Sequence, residues 1–170
     1  GADGVLGTED DISHRIAVVG FASKSGYGDN TELLSIAGSN SGNVGVAYHN
    51  ITDQNLKDVL QNVDTSADQA MVSDAIGALA ASGATQTDLG LDMAQRILSA
   101  NPVQPNEKRN RVVIVFTDGA PTSFNGFEKD VANDAITHAD AIKTAGATVY
   151  TIGIFSGANA TSAGTEPSGD

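Results

Sequence analysis

Residues 111–122 read Arg111-Val112-Val113-Ile114-Val115-Phe116-Thr117-Asp118-Gly119-Ala120-Pro121-Thr122, and this stretch decides the fold. Its apolar, mostly β-branched run from Val112 to Phe116 has strand length and no alternation. Such a run predicts a strand covered on both faces, as in parallel sheets. The strand stops abruptly at Thr117-Asp118-Gly119. In open α/β sheets, ligands bind beyond the carboxyl ends of the strands. Asp118 therefore stands where a carboxylate would face a crevice, with Gly119 letting the backbone turn away. Taken alone, the same two residues equally suit a plain turn.

Working outward, Ile16-Ala17-Val18-Val19-Gly20-Phe21-Ala22 and Ala147-Thr148-Val149-Tyr150-Thr151-Ile152-Gly153-Ile154 read as further buried strands. Ser23 to Asn43 is rich in Gly, Ser and Asn, which predicts a long loop or ragged hairpin, with Val44 to His49 as a short edge strand. Helical spacing recurs four times. Leu56, Val59, Leu60 and Val63 follow a cap at Thr52 or Asp53, and a second stretch holds Met71, Ile76 and Leu79. A third follows Thr85-Gln86-Thr87-Asp88 through Leu91, Ala94, Ile97 and Leu98. The fourth carries Val131, Ala135, Ala139 and Ile142 and stops at Gly146. Asn101 to Asn110, with two prolines, reads as a loop. Strands alternating with helices predict an α/β fold, a doubly wound, mostly parallel sheet flanked by helices. The expected organisation is a tether over 1–14, a domain over 15–156 and a flexible tail over 157–170.

Composition narrows the function. The 170 residues carry 9 basic and 21 acidic groups, a formal charge of −12, which disfavours phosphate backbones and anionic membranes. A cationic partner or a divalent metal suits it better. With no cysteine, disulfides, thiolate metal sites and cysteine nucleophiles are excluded. Gly is 19 of 170, Trp is absent and hydroxyl residues abound, a make-up common among exported bacterial proteins and shared with many cytosolic ones. No stretch approaches the ~18–20 apolar residues of a membrane span. There is no Gly-x-Ser-x-Gly, P-loop or Gly-x-Gly-x-x-Gly pattern in the right context. His14, His49 and His138 have no second His or carboxylate at metal spacing, so solvated or capping roles are expected. Asn50-Ile51-Thr52 and Asn159-Ala160-Thr161 match the glycosylation triplet, a pattern common by chance.

One further segment changes the weight of Asp118. Gly83-Ala84-Thr85-Gln86-Thr87-Asp88 enters a helix, and its hydroxyls suit a cap. Set beside Asp118, Thr85 also offers neutral oxygen next to a carboxylate, the donor set that hard divalent cations take. Together, Gly83 to Thr87 and Arg111 to Thr122 strongly resemble the von Willebrand factor type A domain, the fold of integrin inserted domains and many bacterial adhesins. Arg15 to Ala22 and Ala147 to Ile154 resemble its flanking strands, so the likeness spans about residues 15–156.

The resemblance implies a metal-ion-dependent adhesion site built on three loops, with Thr85 as the second-loop and Asp118 as the third-loop ligand. The cation, Mg²⁺ with Mn²⁺ or Ca²⁺ as substitutes, would then be completed by a carboxylate from a protein partner. Ser123, Asn125 and Phe127, just beyond Asp118, would contact that partner. The family's first-loop Asp-x-Ser-x-Ser does not occur. Phe21-Ala22-Ser23-Lys24-Ser25 has Phe21 where the carboxylate belongs, and Asp64-Thr65-Ser66-Ala67-Asp68 comes too late in the order. Both are expected to be unrelated to metal binding. The chain is accordingly expected to be an incomplete domain, and a metal held by Thr85 and Asp118 alone would be weak. The implied function is a non-enzymatic, metal-assisted adhesion module of a bacterial surface or secreted protein, without nucleic-acid binding or membrane insertion. Two alternatives belong to other classes. A Mg²⁺-dependent phosphoryl-transfer enzyme would share a strand ending in Asp-Gly, but Phe116 holds the place of its nucleophilic aspartate. A structural stalk or pilus subunit would keep the fold and have lost the metal.

Overall fold

The computed structural model describes residues 14–23, 32–37, 55–77, 79, 84–105, 107, 109–117, 120–122 and 127–153. The elements, in chain order, are β1 (Arg15–Ile16), β2 (Val18–Ser23), β3 (Glu32–Ala37), a 3₁₀ turn (Asn55–Asp58), β4 (Gln61–Asn62), α1 (Ser66–Gly77), α2 (Thr87–Ala100), β5 (Val112–Thr117), α3 (Lys129–Thr144) and β6 (Thr148–Gly153).

The stretch that decided the fold forms β5, and it pairs in parallel with β6 in the register Val112↔Thr148 through Thr117↔Gly153. A parallel pair needs a crossover, and α3 supplies it. Val131, Ala135 and Ile142 of α3 are buried, as their helical spacing requires. α3 ends on Gly146, whose φ of 83° is a conformation that favours glycine. There the Gly146 N–H donates to Lys143 O at 2.9 Å and the Ala147 N–H to Ile142 O at 3.2 Å. This is a Schellman closure, and Ala147 and Ile142 then pack in the same core.

Two cores lie on either side of α2. Met93 and Ile97 pack with Leu56 and Val59, joined by Val19 and Phe21 of β2. Leu91 packs with Val115, Ala135, Ile142 and Ala147, joined by Ala94 and Leu98. At 100° per residue the two stripes are roughly 130° apart on the helix, so α2 is a wedge between β2 and the β5–α3–β6 unit. Its C-terminal carbonyls are satisfied from both sides. Asn101 Nδ2 donates to Ile97 O and Leu56 O, each at 2.9 Å. The Arg111 guanidinium donates to Leu98 O at 3.3 Å and also to Ala145 O, tying the ends of α2 and α3 together.

Several expectations are corrected. Among the described residues there are three two-stranded sheets, of which β5–β6 is parallel and β1–β4 and β2–β3 are antiparallel. Helices and a parallel pair agree with part of a Rossmann-like α/β fold, whereas the run from Ile16 to Ala22 divides at Ala17 and enters no parallel pairing among the described residues. In the segment read as a loop or ragged hairpin, the hairpin alternative agrees with the structure, since β3 pairs antiparallel with β2. The helix expected over Leu56 to Val63 is a single 3₁₀ turn followed by β4. Its backbone groups go instead to β1, through Gln61 and Asn62, and the Val63 N–H donates to His14 O at 3.0 Å. Leu56 and Val59 reach the core nonetheless. The second helix forms as α1, but Met71, Ile76 and Leu79 are exposed and Leu79 lies beyond its end. Val112, Ile114 and Phe116 also face outward, so among the described residues β5 is covered on one face. The proposed edge strand at 44–49, most of the tether and the whole tail lie outside the described residues.

At Gly90, α2 packs tightly against Phe21 of β2. A Cβ there would stand 2.6 Å from Phe21 Cδ1 and 2.9 Å from Cγ. Gly90→Ala gains about 1 kcal/mol of helix propensity and loses about 1–3 kcal/mol to overpacking. Denaturant unfolding is expected to show a net loss on the order of 1 kcal/mol. Adding Phe21→Leu should recover part of it, because the smaller side chain makes room.

Candidate functional site

Thr85 sits two residues before α2, and its surroundings are built by backbone pairing. The Thr122 N–H donates to Thr85 O at 2.9 Å, and the Thr85 N–H donates to Thr122 Oγ1 at 2.9 Å. The segment leaving β5 is therefore stitched directly to the segment entering α2. Both backbone polar groups of Thr85 are engaged with Thr122, and its hydroxyl takes no part in that exchange. Beyond Thr122 the chain reverses: Thr122 bridges antiparallel to Phe127, and the Glu128 N–H donates to Pro121 O at 2.9 Å. Phe127 is 56% exposed at the start of α3.

Of the residues singled out in the sequence, Thr85 and Phe127 are thus placed on connected segments. Asp118, Ser123 and Asn125 lie outside the described residues, as does Gly119. Among the described residues no group of three or more His, Asp or Glu is arranged to hold a metal ion. The described donors around Thr85 therefore do not by themselves make a divalent site, because one neutral oxygen does not offset the dehydration of Mg²⁺.

In both serine-bearing segments set aside in the sequence, the described residues have other partners. Phe21 lies against Gly90 in the first core. Thr65 and Asp68 make a capping box at the start of α1. The Thr65 hydroxyl donates to Asp68 Oδ2 at 2.7 Å, while the Asp68 N–H donates to Thr65 Oγ1 at 3.2 Å. Asp64 Oδ1 accepts from the His14 N–H at 3.3 Å.

Sequence reading missed a charged seam between α2 and α3. His138 Nδ1 lies 2.9 Å from Gln95 Oε1 and 3.9 Å from Asp92 Oδ1. Asp88, Asp92 and Gln95 recur at i, i+4 and i+7 on α2, and Asp134 and His138 at i and i+4 on α3. That double periodicity was the available signal. Asp88, in the first turn of α2, has one carboxylate oxygen, Oδ1, buried with no hydrogen-bond partner among the described residues. Burial raises its pKa above the usual carboxylate value of 3.8, and the negative charge of Asp134 adds to the rise. Backbone N–H groups at the helix start and the proximity of His138 oppose the shift without cancelling it.

Two predictions follow from this geometry. Thr122→Val keeps the shape and leaves the Thr85 N–H without its acceptor, which should lower unfolding free energy by about 1–3 kcal/mol. Thr122→Ser retains the hydroxyl and should stay near wild type in the same urea titration. For Asp88, a raised native pKa means that the folded state holds its proton more tightly than the unfolded state. Its contribution is therefore fully present below pH 3.8 and lost as pH rises through the native value. Asp88→Asn should be more stable than wild type at pH 7, because the neutral amide escapes the desolvation that burial imposes on the carboxylate. That advantage should vanish below about pH 4 in melting curves taken across pH.

The family model described as the von Willebrand factor type A domain matches residues 54–166, about two thirds of the chain. No curated protein and no solved structure matches it. The matched span takes in α1, α2, β5, α3 and β6, together with both segments that meet at Thr85 and Thr122. On that match the chain belongs to the von Willebrand factor type A domain family, whose members are generally adhesion or protein-interaction modules.

Proposed function

We propose that the chain is a non-enzymatic protein-binding module of a bacterial surface or secreted protein, working through a divalent cation. Thr85 and Asp118 are the ligands assigned to this chain, with a partner carboxylate completing the shell. The observation that carries the reading is the reciprocal pair of hydrogen bonds between Thr85 and Thr122. β5 ends at Thr117, and five residues later the chain is fixed beside Thr85. Asp118 is the first residue of that short span, which supports a shared site with the Thr85 hydroxyl. A carboxylate and a hydroxyl are hard oxygen donors, suited to Mg²⁺ or Mn²⁺. The chain's net charge of −12 favours cations at its surface.

Phe127 supports the partner side of the proposal. It is exposed, and its bridge to Thr122 holds it at a fixed remove from Thr85. Ser123 and Asn125 lie between Thr122 and Phe127 in the sequence and join it as proposed contacts. The expectation of an extracellular or cell-surface setting rests on the family's habits. No helix among the described residues is long and apolar enough to cross a membrane.

Mn²⁺ titration by calorimetry is the test. Weak but saturable binding is expected, reduced roughly tenfold or more in Asp118→Ala and in Thr85→Ala, since even outer partners of metal ligands cost that much when removed. Unaltered binding in both variants would put the ion elsewhere on the acidic surface and overturn the assignment. An absence of binding would overturn the metal-assisted reading for this chain.

A further inference from the structure

We draw no further inference here: the strongest candidate, the apolar outer face of β5 and β6 where Val112, Ile114, Phe116, Tyr150 and Ile152 are each 43–59% exposed, carries no proposal because nothing in the structure shows what covers it.

Discussion

The constraint on which the rest of this structure depends is that one helix serves two cores. α2 places Met93 and Ile97 against β2 and the 3₁₀ turn, and Leu91, Ala94 and Leu98 against β5 and α3. Each large apolar side chain so buried contributes about 1.5–3 kcal/mol of transfer free energy. Neither neighbouring piece is a self-sufficient sheet, since two strands alone are marginal in water. Both therefore draw their stability from the same helix. The wedge shape follows from sequence: the residues of the two stripes fall on different sides of a 3.6-residue turn.

The same helix fixes the segment that carries Thr85. Thr85 lies two residues before α2, so a helix clamped on two sides leaves the entering segment little freedom. The exchange of hydrogen bonds with Thr122 then ties it to the strand whose end carries Asp118. Close packing of Gly90 on Phe21 fixes the depth at which the first turn of α2 sits. Against this, Asp88 is a cost placed in that same turn, with a buried oxygen lacking a partner among the described residues. Its favourable position at a helix N-terminus does not outweigh its desolvation.

Much of this was legible in the sequence where periodicity was strong. The β-branched run at Val112 to Val115 and the spacing Val131, Ala135, Ile142 gave β5 and α3 within a residue or two. The Gly146 stop was equally plain, because a positive φ selects for glycine. Short apolar runs were harder. Leu56 and Val59 have helical spacing, yet pairing with β1 took the backbone groups that a longer helix would have used. A hairpin was one of two readings of Ser23 to Asn43, but its register with β2 was hidden, because pairing depends on a partner strand that local composition does not name. At the site, Thr85 and Asp118 could be singled out by residue type and position after a strand. The Thr85–Thr122 stitch could not, since residues 37 positions apart leave no local signature. The seam of Asp88, Asp92 and His138 left a trace in the helical spacing on each helix, but its pairing exists only once α2 and α3 are packed.

The central claim is that α2 makes the two cores one cooperative unit. The direct test is native-state amide hydrogen exchange on wild type and Met93→Ala. Met93 is 1% exposed and packs in the core with Leu56, Val59 and Ile97, away from β5. Its truncation should cost about 2–5 kcal/mol. If α2 couples the cores, the amides of β5 and α3 will lose the same protection free energy as those of α2 and β2. Wild-type protection persisting in β5 and α3, with loss confined to β2 and the 3₁₀ turn, would contradict the account.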